Sequence, residues 1–313
     1  MAEIFAVAGG KGGSGKSVLS ILLSRAFAAD EMHTVLIDGD LGGANLHTLV
    51  GMDYPTSSLT DFLTRNKPNL EEVMMMTNDK YVRLICGAGE VLGMANLKST
   101  VKAKLIRHMH SLEADRVVLD LGAGSSFNVL DLFLAADRHV LVVSTEPTSL
   151  QNVYEFMKFS VGRLMHSLYA KELNIAPFIK RFVSPDKEKG LHTIPELLKE
   201  ISAFDKRIGV KVAEDIDRFR PIVIINMAES QTEALKYYNA IEATGKRYLK
   251  IRTRLAGTIF RGNEIRDAIK QRKSLLTVKL GVNNYPLIQI NAELKYRPEP
   301  RSAPRVQAIS AKP

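Results

Sequence analysis

The segment from Ala6 to Ser17, AVAGGKGGSGKS, constrains the fold more tightly than any other stretch of the chain. It begins within an apolar run, Ile4 to Ala8, that predicts a buried strand. Its glycines leave room for main-chain N–H groups to approach an anion, and the lysine and hydroxyl that follow suit a phosphate and a Mg²⁺ ion. The segment matches the phosphate-loop pattern G-x-x-x-x-G-K-[ST] at Gly10, Gly15, Lys16 and Ser17. We therefore expect a strand, an anion-binding loop and then a helix that starts near Ser17.

A second glycine pattern lies in the same letters. Gly10 to Gly15 also satisfies G-x-G-x-x-G, and Asp38 lies about where a dinucleotide-binding fold places its ribose carboxylate. Lys16 and Ser17 favour the phosphate loop, because a dinucleotide site has no particular use for a lysine and a metal-binding hydroxyl after its last glycine. A nucleoside triphosphate with Mg²⁺ needs both. The predicted nucleotide-binding residues of this loop are Gly10, Gly12, Gly13, Ser14, Gly15, Lys16, Ser17 and Val18.

Short apolar runs alternate with longer amphipathic stretches through most of the chain. This alternation predicts an α/β fold with a doubly wound, mostly parallel sheet and helices on both faces. Two of the runs, Thr34 to Ile37 and Arg116 to Asp120, lead directly into carboxylates. Residues just past the carboxyl ends of parallel strands line the ligand crevice, so Asp38, Asp40 and Asp120 should face the same phosphates. A carboxylate opposite a phosphate loop is the usual partner of Mg²⁺, which points first to Asp120.

Composition excludes several classes of protein. With 313 residues, 45% hydrophobic and 25% charged, the chain has the make-up of an ordinary globular protein with one large domain or two smaller ones. Its lone cysteine, Cys86, cannot form an internal disulfide, which fits a reducing cytoplasm, and no apolar run reaches the length of about 20 residues needed to span a membrane. We therefore expect a soluble, cytoplasmic protein with at most peripheral membrane contact. The net charge of +9 indicates acidic partners but does not rank nucleic acid, anionic lipid and nucleotide.

Lys11 extends the loop to K-G-G-x-G-K-S, and this two-lysine form resembles the deviant phosphate loop of the MinD/ParA family of dimerising ATPases. The segment from Asp38 to Asn45 is similar to the switch I of that family, and the segment from Asp120 to Gly124 is similar to its switch II. STEPTS, from Ser144 to Ser149, resembles the stretch that opens the family's long helix. Within the family, the flagellar-number branch (FlhG, FleN and YlxH) is the most similar.

The resemblance implies ATP as the nucleotide and assigns roles to individual residues. Lys16 would serve the phosphates of its own subunit, Lys11 would cross a two-fold interface to the partner's nucleotide, and Asp40 would orient the attacking water. Asp38 would support the metal shell. Asn226, at the end of a later strand, would read the adenine edge, although a plain strand-end turn explains this asparagine about as well. The implied catalytic set is Lys11, Lys16 and Asp40, and the implied metal set is Ser17, Asp38 and Asp120.

The resemblance also suggests how the chain is divided. Residues 1–280 are expected to form one ATPase domain, with an insertion or elaborated subdomain at about 172–220 that packs at the edge of the sheet. Residues 281–313 are expected to be a C-terminal extension that is largely disordered from about 293, because they carry several prolines and no clear periodicity. The basic amphipathic helix with which MinD-like proteins bind membranes is missing from this tail.

Taken together, these features predict a slow ATPase that dimerises across its nucleotides and controls the placement or number of a cellular assembly, such as a flagellum or polar machine, through an unidentified protein partner. Three alternatives remain open. A partition ATPase would hold nonspecific DNA in its ATP-bound dimer. A nucleotide sensor would bind ATP without hydrolysing it. A metabolic ligase or metal-cluster carrier would share the fold, but a carrier needs paired cysteines and only Cys86 is present.

Overall fold

The computed structural model describes residues 1–40, 42–87, 97–169, 171–172, 174–183, 190–281 and 284–295. Its centre is an eight-stranded sheet in the order β3-β4-β2-β5-β1-β6-β7-β8, in which only β3 runs antiparallel to its neighbour. The strands are β1 Glu3–Ala8, β2 Thr34–Gly39, β3 Met75–Met76, β4 Val82–Ile85, β5 Arg116–Leu121, β6 Arg138–Ser144, β7 Ile222–Ala228 and β8 Arg254–Phe260. The sheet is thus mostly parallel, as predicted.

Helices cover both faces of this sheet. They are α1 Lys16–Ala28, α2 Leu46–Leu49, α3 Leu59–Leu63, α4 Ser99–Ser111, α5 Phe127–Ala135, α6 Pro147–Tyr169, α7 Ala176–Val183, α8 Ile194–Phe204, α9 Lys206–Asp217, α10 Gln231–Thr244, α11 Asn263–Lys270 and α12 Asn284–Lys295, with a short 3-10 turn at Glu71–Val73 and a π turn at Gly245–Leu249. One apolar core joins the sheet to α1, α2, α11 and α12, and a second core on the opposite face joins it to α3 through α10. The central strands are buried on both sides, which explains why they read as continuous apolar runs. The prediction of a doubly wound α/β fold is confirmed.

The topology brings together, at the carboxyl ends of the parallel strands, four segments that are distant in the sequence. β1 lies between β5 and β6, and the strand order reverses at this point, since β2 and β4 follow on one side and β7 and β8 on the other. The carboxyl ends of β1, β2, β5 and β7 therefore meet above the centre of the sheet. This is where open α/β sheets bind their ligands.

The region expected to be an insertion is helical and lies on a face of the sheet. Its helices α7, α8 and α9 make their main contacts with one another, with α6 and with the π turn, whereas the edges of the sheet are formed by β3 and β8. The buried Tyr169 hydroxyl at the end of α6 donates a hydrogen bond of 2.6 Å to Asp215 of α9. Its apolar side chains belong to the core that also contains those of α6. The expected position of this segment at the edge of the sheet stays a prediction.

The C-terminal helix α12 contains Pro286, which is compatible with the helix because a proline in its first turn costs no hydrogen bond. Asn291 of α12 donates a hydrogen bond of 2.8 Å to the main-chain oxygen of Ala26 in α1. The apolar side chains that bury this helix against the core are Leu287, Ile290 and Leu294.

Residues 284–295 therefore belong to the folded body. The remainder of the expected tail, residues 296–313, lies outside the described residues. None of the described helices has both the length and the apolar character needed to cross a bilayer.

Candidate functional site

Two glycines in the left-handed region shape the loop between β1 and α1. Gly13 has φ 87° and Gly15 has φ 88°, a conformation that side chains with a Cβ rarely adopt. Gly10 is required for a different reason, since a Cβ at this position would lie 2.3 Å from the main-chain oxygen of Asn152 in α6. The loop is thus fitted closely against α6.

The other predicted loop residues lie just before α1 or in its first turn. Gly12 and Gly13 are exposed, Ser14 is buried, and Ser17 and Val18 are half-buried in the first turn of the helix. The first N–H groups of a helix and the positive end of its dipole together favour an anion. The segment therefore has the local structure of a phosphate-binding loop.

The two loop lysines lie in opposite environments. Lys16 is only 8% exposed, and its Nζ lies 3.4 Å from the main-chain oxygen of Lys11. Burial lowers the pKa of Lys16, and the negative charges of Asp120 and Asp40 oppose that shift. The Lys11 side chain is exposed. Lys16 is therefore held inside the site, whereas Lys11 points to its outside.

Asp120, at the end of β5, is a deeply buried acid of the site. The residue is paired in register with Val7 of β1 and with Asp38 of β2, and its carboxylate accepts a hydrogen bond of 2.9 Å from Ser20. Burial raises the pKa of Asp120 to about 7, and the charge of Asp38 adds to this, while hydrogen bonds from Ser17 and Ser20 oppose it. The sequence interpretation missed Ser20. Its spacing of three residues from Ser17 on a helix was the available signal, because such residues lie on one face.

Asp38 anchors the segment that follows β2. Its Oδ1 accepts a hydrogen bond from the N–H of Asp40 at 3.2 Å, and its Oδ2 accepts from the N–H groups of Asn45 at 3.0 Å and Leu46 at 3.1 Å. Burial raises the pKa of Asp38 to about 6, although these three hydrogen bonds oppose the shift. Both oxygens are engaged with the main chain, so the geometry favours an indirect contribution of Asp38 to any metal site.

Asp40 lies where the two switch-like segments meet. Its Oδ1 accepts a hydrogen bond of 3.2 Å from the N–H of Gly42 in its own segment. On the other side, a Cβ at Gly122 would lie 3.1 Å from the same oxygen. The half-buried carboxylate therefore lies close to the segment after β5 as well as to its own segment.

Asn226, at the end of β7, contacts the loop itself. Its Nδ2 donates a hydrogen bond of 2.8 Å to the main-chain oxygen of Ser14. The side chain is 6% exposed, and a Cβ on Gly15 would lie 2.1 Å from Nδ2. The structure thus brings Asn226 to the predicted site, and its contact there is with the protein main chain.

The oxygen-bearing side chains of the site are suited to Mg²⁺ bound together with a nucleotide. Asp38 and Asp120 lie on neighbouring strands, both buried, with the Ser17 hydroxyl close to Asp120. Within the described residues, no cluster of three or more His, Cys, Asp or Glu side chains could hold a metal alone. Mg²⁺ is ordinarily held by one or two carboxylates plus substrate phosphates and water, so this set is suitable.

The fold and this site define a P-loop nucleotide-binding protein. A family model described as the CobQ/CobB/MinD/ParA nucleotide binding domain matches residues 5–275. The chain belongs to this family, and the resemblance to MinD/ParA inferred from its loop and switch segments is confirmed.

Individual relatives agree with this assignment. The antiactivator FleN of Pseudomonas aeruginosa is 33% identical over 158 residues, which span 50% of this chain and 55% of FleN. Among solved structures, the septum site-determining protein MinD of Pyrococcus horikoshii with Mg-ADP has a TM-score of 0.60 at 17% identity, covering 94% of this chain and 96% of that one. A putative plasmid partition protein of Borrelia burgdorferi bound to AMPPNP has a TM-score of 0.58 at 15% identity, covering 94% and 98%. At these identities the solved structures establish the fold.

Proposed function

We propose that this protein is an ATP·Mg-dependent dimerisation switch that hydrolyses ATP slowly and controls the placement or number of a cellular assembly. The ATP-bound and ADP-bound forms would differ in the conformation of the segments after β2 and β5, and so in partner affinity. The resemblance to the flagellar-number branch, together with relatives named antiactivator FleN and septum site-determining protein MinD, favours control of a cellular assembly over a metabolic substrate. A protein partner, of unidentified chemistry, would read the ATP-bound dimer.

The contrast between the two loop lysines carries this proposal. Lys16 is buried and drawn towards Asp120 and Asp40, which suits a cation that binds the phosphates of its own subunit. Lys11 is exposed, and no ion pair engages it within the part of the chain that the structure describes. A second subunit facing the loop would bring another nucleotide within reach of Lys11, so that dimerisation would depend on the charge of the triphosphate.

The residues of the site suggest how hydrolysis would proceed. Lys16 would offset the charge that develops on the transferred phosphoryl group, and Lys11 of the other subunit would add a second cation. Asp40 would orient the attacking water from its position between the two switch-like segments. Ser17 and Asp120 would hold Mg²⁺, which would supply positive charge to offset that of the phosphates.

Light-scattering mass in ADP·Mg and in ATP·Mg tests the switch. The Asp40→Ala variant should double the mass of the 34.7 kDa subunit in ATP·Mg only, because turnover is blocked. Lys11→Ala in the Asp40→Ala background should bind ATP but remain monomeric. Lys199→Ala in the same background, which removes an exposed lysine of α8, is the matched control and should still dimerise. A monomeric Asp40→Ala variant in saturating ATP·Mg would contradict the mechanism.

The same preparations separate an ATPase from a nucleotide sensor. The ATPase predicts slow release of phosphate by the wild-type protein and none by Asp40→Ala. A sensor predicts tight ATP binding with no phosphate release from either.

A second function, partition on nonspecific DNA, is favoured by one surface. The end of α11 and the segment that follows it carry four exposed cations, Lys270, Arg272, Lys273 and Lys279. None of them has an ion-pair partner among the described residues. Arg272 also has φ 52°, in the left-handed region where glycine is usual. Unpaired cations that are close in the sequence suit a phosphate backbone.

DNA retention with ATP·Mg at rising salt tests this second function. The Lys270→Ala, Lys273→Ala double variant should weaken binding and reduce the dependence of log affinity on log salt by about 2, which is roughly one per lost phosphate contact. The Lys199→Ala, Lys206→Ala pair removes two exposed lysines elsewhere and should leave the dependence unchanged. Failure of the wild-type protein to retain DNA at low salt would remove this candidate.

A further inference from the structure

We propose that Asn226 positions the phosphate loop, so that its amide controls the affinity for the triphosphate whatever the base. This inference rests on the proposed function, because it requires that the loop bind a nucleoside triphosphate. It assigns Asn226 a task other than the adenine contact that the family resemblance implies.

The hydrogen bond to the loop is short and sheltered from water. The Nδ2 of Asn226 lies 2.8 Å from the main-chain oxygen of Ser14, and this contact is buried. Ser14 and Asn226 are 8% and 6% exposed. A buried carbonyl that loses its donor keeps the full cost of its desolvation, so the loop is most stable when this contact is made.

Gly15 leaves the space that the Asn226 side chain needs for this contact. A Cβ on Gly15 would lie 2.1 Å from the Nδ2 of Asn226, closer than any real contact allows. The glycine that precedes Lys16 therefore makes room for the asparagine as well as for an anion. The amide and the left-handed Gly15, at φ 88°, together fix the loop immediately before the first turn of α1.

A break in the β7–β8 pairing delivers the asparagine to this position. The register shifts between Asn226 and Ala228, and Met227 between them has φ 60°. The hydroxyl of Thr145 donates a hydrogen bond of 3.4 Å to the main-chain oxygen of Met227. Bulges of this kind bend a strand and redirect a side chain, and they are frequent beside active sites. A non-glycine residue in the left-handed region adds to the evidence that the strand end is held in a defined shape.

The apparent affinity for a triphosphate depends on the fraction of molecules in which the loop is ordered. A triphosphate binds the ordered loop, so its apparent affinity falls by the fraction of molecules in which the loop has lost this order. Because the contact involves only the protein, the loss should be the same for every ligand that ends in the same phosphates. An adenine contact would instead weaken only adenine nucleotides.

Titration of three ligands separates these two roles. We would measure the Kd of ATP, of ITP, which lacks the exocyclic amine of adenine, and of inorganic tripolyphosphate, each with Mg²⁺. Asn226→Ala should weaken all three by a similar factor of roughly ten, the loss expected for one buried hydrogen bond. A loss confined to ATP, or no loss for any ligand, would overturn the proposal.

The chain supplies a matched control in Asn291. This asparagine is 7% exposed, and its Nδ2 donates to the main-chain oxygen of Ala26 at 2.8 Å and also to the carboxylate of Asp30. Asn291→Ala removes these contacts from α12, away from the loop. It should lower the stability of the fold and leave the three dissociation constants unchanged.

Hydrogen exchange of the nucleotide-free protein tests the contact without any ligand. A peptide that covers residues 9–20 should exchange faster in Asn226→Ala than in the wild-type protein, whereas in Asn291→Ala it should exchange at the wild-type rate. Unchanged exchange in Asn226→Ala would overturn the proposal. If the wild-type protein bound none of the three ligands, the proposed function would fail, and the exchange of this peptide would still decide the role of Asn226.

Discussion

Asp38 and Asp120 lie side by side at the carboxyl ends of β2 and β5, paired in register with each 1% exposed. Burial and the neighbouring charge of Asp38 raise the pKa of Asp120 to about 7, and Lys16 opposes this shift only in part. In the absence of a bound cation, two adjacent buried carboxylates oppose folding at neutral pH. The site therefore lowers the stability of the protein that carries it.

Asp120→Asn should stabilise the nucleotide-free protein at pH 8. The folded-state pKa of Asp120 is raised from 3.8 to about 7, so its ionisation destabilises the fold progressively as the pH rises from about 4 to above 7. The variant should gain about 1 to 3 kcal/mol of unfolding free energy at pH 8 and much less at pH 5, measured by urea denaturation. Asp53→Asn, at an exposed position, is the control and should change neither value. A less stable Asp120→Asn variant at pH 8 would contradict this reasoning.

Ser20→Ala should increase the Mg²⁺ concentration needed for ATP binding. The Ser20 hydroxyl donates to Asp120 at 2.9 Å and orients the carboxylate that we assign to the metal. Loss of such an outer partner typically weakens metal affinity by about 10-fold or more. Titration of Mg²⁺ at fixed ATP measures the shift, and binding of ATP without Mg²⁺ should not change.

The control for this prediction is one turn along the same helix. Ser24 is also fully buried, but its hydroxyl donates to the main-chain oxygen of Ser20 and not to Asp120. Ser24→Ala should therefore affect stability alone. An equal change of the Mg²⁺ requirement in both variants would indicate a general effect on α1.

His139 should make the fold sensitive to mild acid. Its ring lies between Phe133 and Phe219, with centroids 5.1 and 5.2 Å away, and burial lowers its pKa to about 4. The stability that the neutral ring supports is fully present above pH 6.5, the value in the unfolded chain, and is lost as the pH falls towards 4. Between pH 7.5 and 5 this amounts to about 2 kcal/mol.

His139→Phe tests this pH dependence. The variant should lose less stability between pH 7.5 and 5 than the wild-type protein, as measured by urea denaturation at both values. His166→Phe on α6 serves as the control and should keep the wild-type dependence. An identical pH dependence in His139→Phe and wild type would rule out His139 as the source.

Asp131 should contribute strongly to stability and little to nucleotide binding. This buried carboxylate pairs with Lys102 and accepts hydrogen bonds from Arg163 at 2.6 and 3.1 Å, joining α4, α5 and α6. Asp131→Asn leaves two cations without their counter-charge and should cost about 3 kcal/mol in urea denaturation. The exposed pair of Glu200 and Arg181 provides the comparison, since Glu200→Gln should cost less than about 1 kcal/mol. Unchanged ATP affinity in both variants would complete the expected pattern.

The sequence was most informative where a short motif fixes both conformation and chemistry. The loop that ends in Lys16 and the carboxylates Asp38 and Asp120 could be predicted because each follows directly on an apolar run. The parallel sheet then placed these strand ends together. The contact of Asn226 with Ser14 could not be predicted in the same way. It depends on a register shift between β7 and β8, which are far from the loop in the sequence.

The C-terminal helix α12 was not predicted from the sequence. The spacing of Leu287, Ile290 and Leu294 is that of a helical face, whereas the prolines on either side of it favour an irregular chain. Burial of these three side chains against α1 and β8 then stabilises the helix despite the proline in its first turn. The position of α7 to α9 on α6 was missed for a related reason, since no local pattern identifies the surface that an amphipathic helix will cover.

Helix α6 connects the phosphate loop with the helical segment α7 to α9. It has 23 residues and is therefore about 35 Å long. At one end Asn152 meets the loop at Gly10 with no space for a single methyl group, and at the other Tyr169 is tied to Asp215 of α9. A single helix therefore spans the distance between the phosphate loop and α9, and every step of that path is a close packing contact or a buried hydrogen bond.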